Sequence, residues 1–375
     1  MVSRRDFFVT CGGAGCALAA GVAAGSVLLP SKRAFAGSTP RAYPARFWKK
    51  LPQKRIECGL CPKHCKVEDR ERGFCGVREN RDGEYVTLVW GQPCAVHLDP
   101  IEKKPFFHFL PGSLAYSIAT VGCNFTCLHC QNADISQLPR ETGQIPGQFV
   151  PPEEVVALAK AEGCQSIAYT YSEPTIFFEY AFDVAGMARK SDLRNVFVSN
   201  GYIGEEAAQK IIPVLDGINI DLKGDDQFYR KVCGAKLEPV QNNIEKFWKN
   251  GVCVEVTTLI IPSYNDSEQK LMDIAEFLAG VSPDMPWHVS AFAPRHKMLD
   301  VPSTGIESLR LALKIGRKAG LKYVYAGNVQ GESENTLCSN CGEVLIQRQG
   351  YRILKNSHVE GHCRKCGTAL PGVWN

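Results

Sequence analysis

From about residue 112 to residue 330 the sequence alternates seven short β-type runs with segments of helical periodicity, and this alternation limits the fold most. The runs are "LAYSIATVG", "SIAYTYS", "NVFVSN", "GINIDLK", "VCVEVTTLIIP", "WHVSAFAP" and "LKYVYAGN". Between them, "PPEEVVALAKAEG" opens on prolines, carries two acids in its first turn and stops at Gly163. "NIEKFWKNG" and "SLRLALKIGRKAG" likewise end on Lys or Arg close to a terminal Gly, the usual grammar of a helix end. Strands alternating with helices imply a parallel sheet. Seven of them in this length predict a (β/α) barrel, partial rather than closed.

A barrel of this kind carries its chemistry where each strand ends. The first run leads into Cys123, the second into Ser172, Glu173 and Pro174, and the third into Ser199, Asn200 and Gly201. The fourth ends in Asp221, Leu222 and Lys223, and the fifth carries Thr257 and Thr258. The sixth contains His288, and the seventh ends at Gly327 and Asn328. Together these predict one polar mouth.

Cysteine usage sharpens the chemistry. Of 17 cysteines, eleven fall into three tight groups, and short, regular spacing is the mark of metal ligation. "GCNFTCLHCQN" sets Cys123, Cys127 and Cys130 as C-x-x-x-C-x-x-C. Three thiolates can hold three irons of a 4Fe–4S cluster and leave the fourth without a protein ligand, the open position that marks a catalytic metal. The rivals are a zinc site completed by His129, and an electron carrier needing a fourth Cys that the nearby sequence does not offer. "CGLCPKHCKVEDRERGFC" supplies Cys58, Cys61, Cys65 and Cys75, a set that suits zinc, an iron–sulfur cluster or two disulfides. Near the end, Cys338-x-x-Cys341-Gly and Cys363-x-x-Cys366-Gly are matched knuckles around a β-rich hairpin. They predict a four-cysteine zinc ribbon. Cys94, Cys164, Cys233 and Cys253 stand singly among apolar residues and read as core fillers.

The first forty residues have another character. "SRRDFFVT" precedes an apolar, Gly/Ala-rich run to Leu29, followed by "AFAG" with a small-residue cleavage site after Ala36. Residues 1–36 therefore resemble a twin-arginine export signal, with an uncleaved anchor or a cytosolic leader as alternatives. Residues 37–57 read as a linker. Membrane contact is expected only through the leader. Net charge is +4 with Lys and Arg scattered, which speaks against a nucleic-acid binder and its basic stripe.

The C-x-x-x-C-x-x-C run after the first barrel strand resembles the radical SAM superfamily. "DPIEKKPFFHFLPGS", "YTYSEPTIFFEY", "VSNGY", "NIDLKG", "PWHVSAFAP" and "YVYAGNV" extend the likeness to the radical SAM enzyme of the AmmeMemoRadiSam system, which is similar to pyruvate formate-lyase activating enzymes. The resemblance implies an α/β fold: a partial (β/α) TIM-like barrel over 112–330, between a Cys-rich module (58–111) and a zinc-ribbon-like module (335–375). It implies an oxidoreductase that cleaves S-adenosylmethionine (SAM) on a 4Fe–4S cluster held by Cys123, Cys127 and Cys130, giving a 5′-deoxyadenosyl radical. His129 would lie near the adenine, Glu173 near the SAM amino group, and Ser199 and Asn200 near the ribose. Lys223 and His288 match further polar contacts. Tyr171 and Ser172 stand where the superfamily has two glycines.

An external low-potential electron donor is required, and a protein substrate or other members of that system are the expected partners. A glycyl-radical activase is one alternative. From another class, the chain would be an iron–sulfur carrier or a metal-stabilised scaffold. SAM and strong reductants are cytosolic, so the export signal sits awkwardly with the chemistry.

Overall fold

The computed structural model describes residues 41–329, 331 and 333–374. The leader assigned to residues 1–36, with Cys11 and Cys16, lies outside them. At the centre is an eight-stranded sheet: β1 (Ala95–Pro100), β2 (Leu114–Ala119), β3 (Ser166–Tyr169), β4 (Arg194–Ser199), β5 (Gly217–Asp221), β6 (Cys253–Ile260), β7 (Trp287–Ala291) and β8 (Val324–Gly327). Neighbours in sequence are neighbours in the sheet. From β2 to β8 every pairing is parallel, as the strand–helix alternation predicts. β1 is an addition: it pairs antiparallel with β2, and its sequence "AVHLDP" has too mixed a pattern to announce a strand.

The crossovers carry α1 (Pro152–Ala161), α2 (Phe178–Arg189), α3 (Glu205–Ile211), α4 (Glu238–Lys249), α5 (Glu268–Val281) and α6 (Ile306–Lys318). α1 ends as its sequence dictates. Gly163 takes φ +68°, the left-handed turn glycine reaches without penalty, and Cys164 N–H closes on the Ala159 carbonyl. Each helix lays its apolar side on the sheet, with Val155, Ala159, Val184, Ile244, Leu278 and Leu309 buried in one core.

The expected linker is not one. Strand Trp48–Lys50 pairs with strand Ile56–Cys58, and Tyr43 stacks on Trp90 at 4.4 Å. Phe47 meets Phe178 edge-on. The Pro, Lys and Arg content suggested a tether, but three aromatics within six residues anchor it. At the other end of the chain, strands Thr336–Leu337, Val344–Gln349 and Arg352–Asn356 form a small antiparallel sheet. Among the described residues no helix is long and apolar enough to cross a membrane.

Candidate metal and cofactor site

β2 hands the chain to the cysteine loop at the C-terminal end of the sheet. Gly122 has φ +101°, and a Cβ there would lie 2.7 Å from Val77 Cγ1 and 3.0 Å from the Cys75 carbonyl oxygen. Only glycine lets the loop start so close to the N-terminal module. Cys123 and Cys127 are buried and Cys130 half-buried. Neighbouring elements pin the loop: Thr126 N–H donates to the Cys233 carbonyl (2.9 Å) and Leu128 N–H to that of Val232 (3.0 Å). Arg140 donates to the Cys123 carbonyl (2.7 Å). Phe125 N–H donates to Cys123 Sγ at 3.3 Å, and Asn200 Nδ2 reaches the same sulfur at 3.8 Å. As free thiols the three are held above the usual range. Burial is the chief cause at Cys123 and Cys130, and the Cys233 thiol followed by burial at Cys127. A bound metal's charge would ionise them.

Strand ends supply the rest of the mouth. Glu173, after β3, is fully buried, and its carboxylate accepts from Thr175 N–H (2.9 Å), Ser199 Oγ (2.8 Å) and Asn200 N–H (2.8 Å). Burial pushes it up while these donors pull it back. It binds the ends of β3 and β4 together, and through Asn200 it reaches Cys123. Tyr171 has φ +62°, in the left-handed region that favours glycine; its hydroxyl bonds Asp99, and its carbonyl accepts Asn132 Nδ2 at 2.7 Å. Lys223 Nζ donates to Asp221 at 2.7 Å. Burial works against its charge, but Asp221, Cys127 and Cys233 hold it protonated. His129 is buried with its ring 5.8 Å from Phe228 and with no partner for Nδ1. Burial first, and Lys223 second, push it down to about 3, so it is neutral.

Sequence comparison agrees with this geometry. Residues 117–278 match the radical SAM superfamily. An uncharacterized protein of Methanocaldococcus jannaschii, MJ0808, is 45% identical over 330 residues, covering 87% of this chain and 98% of that one. The chain belongs to the radical SAM superfamily. A second M. jannaschii protein, MJ0674, is 24% identical over 284 residues, or 72% of this chain and 76% of its own. Among solved structures, a domain of pyruvate-formate lyase-activating enzyme from Bacteroides vulgatus is similar at TM-score 0.39 and 19% identity, over 44% of this chain and 99% of that one. Streptococcus suis SuiB bound to S-adenosylmethionine is similar at TM-score 0.46 and 10% identity, over 61% and 53%. Superfamily membership makes this chain an enzyme and implies SAM and an iron–sulfur cluster.

The three thiols, with N–H donors on the Cys123 sulfur, fit the thiolate set of a radical SAM cluster. No three sulfurs of this loop all lie within 4.8 Å of one another. Cys338, Cys341, Cys363 and Cys366 do come within that limit, with Cys338 and Cys366 sulfurs 3.5 Å apart and Cys341 and Cys363 3.7 Å. Four sulfurs at about 2.3 Å from one zinc lie about 3.8 Å apart, so this group fits a single tetrahedral ion. Among the described residues every cysteine is free, Cys58, Cys61, Cys65 and Cys75 included.

His288 departs from the expected radical SAM mouth. It is the second residue of β7, and its Nε2 meets Glu255 on β6 at 2.6 Å. That places it at the opposite, N-terminal end of the sheet. A strand's sequence shows which residue is polar but not its height in the barrel. The loop after β7 does reach the mouth: Lys297 N–H, next to half-buried His296, donates to the Leu128 carbonyl at 2.9 Å. Cys233, read as a filler, is the other surprise, since its thiol faces Cys127.

Proposed function

We propose that this protein binds a 4Fe–4S cluster through Cys123, Cys127 and Cys130 and cleaves SAM reductively, using the resulting radical to take hydrogen from a substrate. The observation that carries the reading is the placement of these three thiols on one loop at the C-terminal end of a parallel sheet. When bound, cluster and SAM together supply a 5′-deoxyadenosyl radical, chemistry that belongs to the cofactors. The chain's own residues orient and exclude. Glu173 fixes Ser199 and Asn200, and Asn200 donates to the Cys123 sulfur, the kind of outer contact that tunes a cluster. Neutral His129 leaves a buried nitrogen facing the site, consistent with an adenine neighbour. Lys223 brings a fixed positive charge beside Cys127.

The likeness to the AmmeMemoRadiSam enzymes supports a place in that system, with a protein partner as substrate and an external low-potential donor. Zinc is the ion proposed for Cys338, Cys341, Cys363 and Cys366. Anaerobically reconstituted protein given dithionite and SAM should form 5′-deoxyadenosine. No product above a Cys127→Ala control, with the cluster loaded, would overturn the reading.

A further inference from the structure

The N-terminal cysteine module and the catalytic loop meet on one side chain. Arg140, on the short helix Leu138–Thr142 that follows the loop, reaches back with both terminal nitrogens. Nη1 donates to the Cys123 carbonyl at 2.7 Å and to the Phe74 carbonyl at 3.2 Å, and Nη2 donates to the Phe125 carbonyl at 2.6 Å. Two of these acceptors belong to the catalytic loop. The third, Phe74, directly precedes Cys75 of the N-terminal group. A planar guanidinium holds several acceptors in one fixed geometry, which a lysine ammonium on its flexible stem does not.

The N-terminal side of this link is equally fixed. Arg140 lies over the Phe74 ring at 4.7 Å, and the Lys63 ammonium lies over the same ring at 4.0 Å, both cation–π contacts. Lys63 stands between Cys61 and Cys65, and its Nζ also donates to the Gly234 carbonyl. Phe74 N–H donates to Cys65 Sγ at 3.5 Å. Backbone packing closes the seam: a Cβ on Gly122 would lie 3.0 Å from the Cys75 carbonyl oxygen, and one on Gly76 would lie 2.8 Å from Pro139 Cβ, beside Arg140. A shift at Cys65 or Cys75 therefore moves Phe74, and Arg140 passes that shift to two loop carbonyls. Close-packed contacts transmit such displacements instead of absorbing them.

We propose that Arg140 is a positioning residue for the reaction: it sets the Cys123–Phe125 stretch of the catalytic loop from the N-terminal cysteine module, through Phe74. The inference rests on the cluster reading above, and it makes the N-terminal module a support for the catalytic cysteines.

The test uses the full chain, reconstituted anaerobically and reduced with dithionite. Its readouts are 5′-deoxyadenosine and the change that SAM makes in the cluster's EPR spectrum. Arg140→Gln should stay folded by near-ultraviolet circular dichroism, lower cleavage by about 10- to 100-fold and alter that spectral change. Arg140→Lys should recover only part of the rate; full recovery would mean that charge alone matters and overturns the positioning role. Unchanged cleavage and spectrum in both variants overturns it as well. Phe74→Leu tests the link to the module: its loss and that of Arg140→Gln should overlap in the double variant, and losses that multiply overturn the link. Should Arg140→Gln not fold, Phe74→Leu at its 37% exposed ring serves alone. It should lower cleavage by about 2- to 5-fold, and an unchanged rate and spectrum overturns the proposal. Unmodified protein that forms no 5′-deoxyadenosine would instead overturn the cluster reading, and this inference with it, so the two failures are told apart.

Discussion

At the N-terminal end of the sheet, Glu255 accepts from Phe107 N–H (3.0 Å), His108 N–H (2.8 Å) and His288 (2.6 Å). His108 joins Tyr325 and the Pro371 carbonyl, each at 2.7 Å. Arg348 lies over the Phe107 ring at 4.1 Å and donates to the Phe107 carbonyl at 2.7 Å. At the C-terminal end the polar groups are just as buried but less completed: His129 keeps an unpartnered nitrogen, and three thiols hold no disulfide. Burial alone therefore does not mark a site. The base joins the barrel to the C-terminal module, while the mouth holds donors and sulfurs that a cofactor would complete.

Four substitutions put this contrast under strain. Cys123→Ala should abolish SAM cleavage to background, with near-ultraviolet circular dichroism reporting an intact fold. Asn200→Ala should lower cleavage by about 10- to 100-fold, the usual cost of losing an outer contact to a metal ligand; an unchanged rate would remove Asn200 from the cofactor's surroundings. Glu255→Ala, at the base, should cost about 3 kcal/mol or more in denaturant unfolding, because it leaves the buried Phe107 N–H, His108 N–H and His288 ring without their acceptor, at about 1–3 kcal/mol each. Its SAM cleavage per folded molecule should stay normal. A selective loss of activity would mean that the base acts in catalysis after all.

The base should also be acid-sensitive. Burial pushes His108 down from 6.5 to about 4, so the folded protein resists a proton that the unfolded chain accepts. Stability is complete above about pH 6.5 and falls as pH drops towards 4, by about 3 kcal/mol in all. His108→Gln should flatten that slope in urea titrations. A slope unchanged by the substitution would assign it to other groups.

The sheet, its strand order and the cysteine loop were legible because strand–helix alternation and C-x-x-x-C-x-x-C are local patterns. So were the helix ends at Gly163, Gly251 and Gly320, which all take left-handed backbone. What the sequence hid was height and long-range proximity. His288 and His296 are eight positions apart and lie at opposite ends of the barrel, because a register is set by pairing partners. Cys233 reaches Cys127 from across more than a hundred residues of chain. Glu173 reads as a ligand-facing acid, yet its three hydrogen bonds go to protein.

The seal between His108 and Pro371 spans 263 residues, and Val373 N–H donates to the His108 carbonyl beside it. Synthesis runs from the N-terminus, so "PFFHFL" emerges long before the residues that cover it. Contacts this distant form late in folding. Until then its aromatic floor stays exposed on a nascent chain whose underside is still open.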